Sequence, residues 1–245
     1  MDSESIDGRP EPEKETIRNQ GIRSYVLRAG RMSIAQRRSY DTLAPRFCIP
    51  FAGPTAAAPL DYQAIFGNSR PVTVEIGFGM GIATALIAEA DRDMNYLGLE
   101  VHRPGIGRLL WEIEARGLEN IRIVEHDAVE VLERMIADDS VAAFHIFFPD
   151  PWPKKRHQKR RLIKRPFTEL LCRKMKKGAY VYMATDWVEY GEWALGELSA
   201  TSGLENSYEG YAPRQSWRPQ TKFETKGLNK SHEVRELYFR KGGAT

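Results

Sequence analysis

PVTVEIGFGMGIATALIAEA, residues 71–90, passes from a β-branched run through three alternating glycines into an alanine-rich apolar run. Val and Thr in alternation suit a buried strand, glycine permits the positive φ of a tight turn, and Ala with Leu and Ile favours helix. The segment therefore predicts a strand over Pro71–Glu75, a turn over Ile76–Gly81 and a helix from Ile82. Downstream the alternation continues. Tyr96–Leu99 reads as a strand ending at Glu100, Arg103–Gly117 as a helix, Ile121–Val124 as a strand ending near Asp127, and Ala128–Ala137 as a helix. Val141–Phe148, the helix Leu162–Lys177, the strand Ala179–Ala184 and the helix Trp187–Ser199 follow. Strands that alternate with helices build a doubly wound, mostly parallel α/β sheet. Gly, Pro and Asn punctuate Asn206–Arg240 around strand-like pieces such as Val234–Phe239, so an antiparallel strand pair is expected to complete the sheet.

Composition sets the frame for that sheet. With 245 residues, 42% hydrophobic and 10% aromatic, the chain can bury one sizeable core. Cys48 and Cys172 lie far apart and outside any C-x-x-C, which implies neither a disulfide framework nor a cysteine zinc site. His102, His126, His145, His157 and His232 show no metal-ligand spacing, and no catalytic metal is expected. No run approaches the roughly 20 apolar residues of a membrane span, so a soluble, cytoplasmic protein is expected. Residues 1–15 read as a disordered acidic tail. Residues 16–70 read as a basic N-terminal arm and an irregular lead-in: Arg18, Arg23, Arg28, Arg31, Arg37 and Arg38 precede a segment punctuated by Pro45, Pro50, Pro54 and Pro59. The arginines form either a second basic surface or an exposed connector with snorkelling side chains.

The charge of the chain is owed to one place. Trp152–Arg165 holds eight of the 36 Lys and Arg and no acid, leaving 28 cations against 33 acids elsewhere, while the whole chain is +3. A charge run is commonly a solvated face. Here it follows directly on Asp150-Pro-Trp-Pro153, a rigid turn at the tip of an apolar strand, which places a carboxylate and a cationic tract at one strand mouth. A phosphate-rich substrate fits that pairing.

In open α/β sheets ligands bind beyond the carboxyl ends of the strands, and Glu75, Glu100, Asp127, Asp150 and Asp186 all fall at such ends. Gly77, Gly79 and Gly81 follow a G-x-G-x-G spacing and not the dinucleotide G-x-G-x-x-G; a tight turn alone would explain them. Glu100 suits a carboxylate that accepts ribose hydroxyls, in nicotinamide enzymes as well. Glu75 discriminates, because a carboxylate beside the turn would repel a pyrophosphate but meets an ammonium. S-adenosylmethionine carries that ammonium and no phosphate. Asp127 is placed either to accept from the adenine amino group or to cap the following helix.

Glu75-Ile-Gly-Phe-Gly-Met-Gly81, Gly98-Leu-Glu-Val-His102, His126–Leu132, Phe147–Arg161, Ala184-Thr-Asp-Trp187 and Thr221-Lys-Phe-Glu224 together resemble the bacterial tRNA (guanine-N7)-methyltransferase family, from about Ile22 to the C-terminus. The most specific element is PDPWPKKRHQKRR, residues 149–161; the glycine turn is shared by most Rossmann-like methyltransferases. The resemblance implies a Rossmann-like methyltransferase sheet over residues 71–245 and methylation of a guanine in the tRNA variable loop, position 46 by tRNA convention. It implies that Glu75, Gly77, Gly79, Gly81, Glu100 and Asp127 bind S-adenosylmethionine and that Asp150 is the active-site acid. It implies further that Lys154, Asp186, Thr221, Lys222, Phe223 and Glu224 meet the substrate, and that the tract with Arg156, Lys159, Arg160 and Arg161 holds RNA. Lys226 stands where the family often has Arg. Trp152 reads equally as a stacking platform for the base and as a core aromatic wedged between prolines. The rival readings are a methyltransferase for another nucleic-acid base and a non-catalytic RNA-binding protein on the same scaffold, in which the acidic rim would be incidental. No obligate protein partner is evident.

Overall fold

The computed structural model describes residues 23–26, 30–52, 58–220, 224 and 233–242. The expected tail, residues 1–15, lies outside them. Strands run over Val72–Ile76 (β1), Asn95–Glu100 (β2), Ile121–Glu125 (β3), Val141–Phe147 (β4), Met175–Thr185 (β5), Leu204–Asn206 (β6) and Arg235–Lys241 (β7). They form one sheet in the order β3-β2-β1-β4-β5-β7-β6. The first five are parallel; β7 lies antiparallel against β5 and β6, the strand pair anticipated from the punctuation after Asn206. Helices span Ile34–Phe47 (α1), Tyr62–Phe66 (α2), Ile82–Ala90 (α3), Arg103–Arg116 (α4), Ala128–Met135 (α5), Arg165–Lys174 (α6) and Val188–Ser199 (α7).

Every residue of β1 and β2 is buried, the polar Thr73, Glu75, Asn95 and Glu100 included, as expected of central strands covered on both faces. One face packs Phe47 of α1, Ala85 and Ile87 of α3 and Ile106 and Leu109 of α4. The other packs Val131 and Leu132 of α5, Phe167 and Leu170 of α6 and Tyr190 and Leu198 of α7. The strand order reverses between β1 and β4, which opens a crevice at their carboxyl ends. Gly81 shows why the turn before α3 needs glycine. It has φ 68°, and a Cβ there would lie 2.6 Å from Cβ of Leu109, so the turn packs directly on α4. Among the described residues no helix is long and apolar enough to cross a membrane.

Two expectations are corrected. The segment read as connector and irregular lead-in contains α1, opened by a capping box in which Ser33 accepts from Gln36 N–H while the Gln36 side chain accepts from Ser33 N–H. Pro45 lies inside its last turn, where it removes a single donor, and the Cys48 N–H still bonds Ala44 O. Two of its arginines are spent on neighbouring acids, Arg38 on Glu114 and Arg46 on Glu119. The helix expected over Leu162–Lys177 begins at Arg165 and ends at Lys174, and β5 begins at Met175. Met175 is fully buried opposite Val141, so the chain must extend once it reaches the sheet. Exposed Lys176 to Gly178 are taken up in a register shift between Val141 and Ala143.

Candidate active site

The crevice is a cavity of about 240 Å³ lined by Ile76, Gly77, Glu100, Val101, His126, Ala128, Phe148 and Asp150, with Ser24 and Tyr25 among its walls. Strand order lays the rim acids out in the sequence Asp127, Glu100, Glu75, Asp150, Asp186. Glu100 is the organiser of the glycine turn. One oxygen accepts from Gly79 N–H at 2.8 Å, and the other from Val101 N–H at 2.7 Å and His102 N–H at 3.0 Å, at the start of α4. Gly77 and Gly79, at φ 71° and 57°, have nothing within 4 Å of where a Cβ would stand. Among the described residues the space in front of these two positions is open to about 4 Å, and side chains there would enter it. Glu75 is wholly buried behind the turn and is not among the residues lining the cavity. One of its oxygens has no partner, and burial, with the charge of Glu100 adding, pushes its carboxyl up to about 8. Asp127 caps α5, its Oδ1 accepting from Val129 N–H at 2.9 Å and Glu130 N–H at 3.2 Å. Beside it, the Tyr25 phenol is raised by burial and by the Asp127 charge.

A backbone cradle, a carboxylate fixed at the second strand and a buried acid with a free oxygen are a donor and acceptor set that fits an aminoacyl nucleoside such as S-adenosylmethionine. The unpartnered oxygen of Glu75 suits an ammonium by its chemistry, and Glu100, with three of its about four acceptor sites taken, keeps one on Oε2 for a hydroxyl.

Across the crevice, Asp150 is exposed on a turn held in an unusual conformation. Phe148 and Trp152 both have left-handed φ, 50° and 45°, and three prolines alternate through the turn. Backbone of this kind persists only where its surroundings over-determine it. Trp152 is half-buried and outside the apolar core, which corrects the second of its two readings; it donates from Nε1 to Ser24 O at 2.9 Å, and Arg160 lies 5.1 Å over its ring. It thereby fastens the N-terminal arm to the wall of the cavity.

Beyond the turn, Lys155–Arg160 is a 3-10 helix with no buried residue. Lys154, Arg156 and Lys159 are exposed, Arg160 is half-buried, and none of the four forms an ion pair with a described residue. Arg161 corrects the expectation of RNA contact. Its side chain is 1% exposed, donates to Pro151 O and to Glu189 at 3.0 Å each, and faces the rings of Tyr190 and Trp193. It holds the tract down on α7. Asp186 is half-buried just past β5. Thr221, Lys222 and Phe223 lie outside the described residues, as does Lys226. Glu224 is described and is 4% exposed; its carboxylate is gripped by Arg218, which is a correction to its reading as an open substrate contact.

Residues 69–237 match a family model described as "Putative methyltransferase". A tRNA (guanine-N(7)-)-methyltransferase of Paraburkholderia xenovorans is 52% identical over 233 residues, 95% of this chain and 88% of that protein. The chain belongs to the tRNA (guanine-N7)-methyltransferase family. A second tRNA (guanine-N(7)-)-methyltransferase, from Methylobacillus flagellatus, is 50% identical over 93% of this chain and 94% of its own length. Among solved structures, that of the 16S rRNA methyltransferase KamB aligns with a TM-score of 0.52 at 14% identity, over 78% of this chain and 97% of that one, a likeness of fold. For a tRNA (guanine-N7)-methyltransferase the sequence reading missed three groups. Ser24 and Tyr25 wall the cavity, but nothing in RSYV distinguishes a wall from a connector. Arg218 is buried inside a Gly- and Pro-punctuated stretch where arginine reads as exposed.

Proposed function

We propose that this family member acts on the guanine at position 46 of the tRNA variable loop, in the cytoplasm and without an obligatory protein partner, with Asp150 holding the reacting base. The activity itself, methylation of tRNA guanine at N7 with S-adenosylmethionine as methyl donor, follows from family membership. The cofactor, when bound, supplies an electrophilic sulfonium methyl group. Gly77, Gly79 and Glu100 would hold it, with Glu75 at its ammonium and the second oxygen of Asp127 at the adenine amino group.

Guanine N7 carries an in-plane lone pair and needs no deprotonation before attack, so the task of the protein is placement. Asp150 accepts from N1–H and N2–H of the base and offsets the positive charge that grows on the purine as N7 gains its methyl group. Lys154, Arg156, Lys159 and Arg160 neutralise the phosphates that follow. A base inside a folded tRNA must be drawn from its tertiary contacts, at a cost of about a few kcal/mol. The observation that carries this reading is the exposed Asp150 on a strained turn, lining the same cavity as Gly77 and Glu100 and leading directly into a tract of solvent-accessible cations. The test is methylation by the purified chain alone with labelled S-adenosylmethionine and a tRNA transcript, followed by nucleoside analysis and chemical cleavage at 7-methylguanosine. Methylation at a single variable-loop guanine is expected; label at a different guanine, or a need for a second protein, would overturn it.

A further inference from the structure

Arg218 has no part in the chemistry above, yet it is one of the two largest side chains wholly removed from solvent. Its guanidinium forks onto both oxygens of Glu224, at 2.9 and 2.7 Å, and the same nitrogen that makes the shorter bond also donates to Glu236. Glu236 stands on β7 opposite Ala184 of β5, level with the rim of the cavity. Glu224 ends the Thr221–Glu224 segment. The guanidinium carbon also lies 5.9 Å from the centre of the Phe148 ring. Phe148 is the left-handed residue that opens the turn to Asp150, and its N–H bonds Ala184 O at 2.8 Å.

A buried arginine with two carboxylates is an expensive way to fill space, since apolar side chains of the same volume are often as stable or more so. What such a cluster supplies is a fixed geometry. A fork is planar and directional, and it can set a ring on its face and two carboxylates in its plane at the same time.

We propose that Arg218 is a positioning residue for methyl transfer: it locks Glu224 and the Phe148 ring together, and through Phe148 it sets where Asp150 stands in the cavity. This rests on the assignment of Asp150 to the reacting base.

The experiment is a cycle of Arg218→Lys and Asp150→Asn under saturating S-adenosylmethionine, with tRNA KM, kcat, cofactor Kd and Tm measured for each variant. Lysine keeps the charge but cannot fork, and a misplaced group costs about a hundredfold in rate. Arg218→Lys is expected to lower kcat by about that factor, while KM and cofactor Kd stay within about twofold of the parent. In the Asp150→Asn background the same change is expected to cost less than about threefold, because the group it positions is already lost. Multiplicative losses, or a fall in kcat that tracks Tm and cofactor affinity, would reduce Arg218 to a structural residue and overturn the proposal. Near-parent activity of Asp150→Asn alone would overturn the assignment of Asp150, and this proposal with it. If Arg218→Lys does not fold, Phe148→Leu, which removes the ring but keeps the buried ion cluster, takes its place in the cycle; because Phe148 itself lines the cavity, only its coupling to Asp150→Asn is read, and multiplicative losses there overturn the proposal.

Discussion

At Glu75, one carboxylate oxygen is buried without a partner, and burial holds the acid neutral up to about pH 8. An ammonium brought beside it stabilises the anion and draws the proton off. Cofactor binding at pH 7 should therefore release up to about one proton, and affinity should rise with pH until about pH 8 is passed. Calorimetry in two buffers of different ionisation enthalpy measures the release, and Glu75→Gln should abolish it. A binding enthalpy that does not depend on the buffer would remove Glu75 from the cofactor site. Asp150 lends itself to a complementary test, because it stands on a different strand's end from Glu75 and Glu100. Asp150→Asn should leave cofactor affinity unchanged and lower single-turnover methylation by roughly 10²–10³, the usual cost of one preorganised polar group. Since N7 needs no base, raising the pH from 6 to 9 should not restore the rate; recovery at high pH would indicate a deprotonation step.

Among the elements, the 3-10 helix and its flanks are the RNA-facing candidate, and burial divides their cations into two kinds. Lys154, Lys155, Arg156, Lys159 and Arg160 are free to meet phosphates, so about five contacts with a slope of −0.7 to −0.9 each should weaken tRNA binding roughly 100–500-fold for a fourfold rise in salt. Neutralising Lys159 and Arg160 should flatten that slope by about two contacts. Arg161→Met should instead lower Tm and leave the slope alone, since Pro151 O and Glu189 lose a buried donor, at about 1–3 kcal/mol. This division was not legible beforehand. A run of charge tells that cations are dense, but which of them turns inward depends on Tyr190 and Trp193, about thirty residues away in sequence. The strands and the helices between them were readable because each apolar run is bounded by turn residues and lies between two covered faces. Helix α1 was hidden by Pro45 and by arginines whose acidic partners, Glu114 and Glu119, lie 76 and 73 residues further along the chain. The early start of β5 was hidden by Lys176, Lys177 and Gly178, whose polarity belongs to a bulge. Within the site, Glu100 ends β2 and the glycines form the tight turn after β1, both as read from the sequence, whereas the grip of Arg218 on Glu224 exists only in three dimensions.

For the whole molecule, the buried titratable groups set an unusual pH dependence. Glu75 is raised by burial to about 8, so the folded chain binds a proton there that the unfolded chain releases above about 4.5. Its contribution is fully present below that unfolded value and is lost as pH rises through 8. Burial raises Glu236 as well, but the Arg218 guanidinium on its Oε1 opposes that and favours the anion. Buried His145 has the opposite sign to Glu75: lowered to about 3, it stays neutral when folded and destabilises the protein as pH falls below 6.5. Glu75 can contribute up to about 1.4 kcal/mol per pH unit, so the cofactor-free protein should lose about 2 kcal/mol between pH 6 and 8, roughly 4–8 °C in Tm. Glu75→Gln should flatten that decline. A Tm that climbs from pH 6 to 8 would show that Glu75 is not neutral in the folded chain. A last consequence concerns the order of synthesis. The bond from Trp152 to Ser24 joins residues 128 apart. At about 5–20 residues per second, roughly 6–25 seconds of translation separate them. Throughout that interval the earliest described part of the chain waits for its anchor, so a nascent chain stalled before Trp152 should leave the cavity short of a wall however much of the sheet has formed.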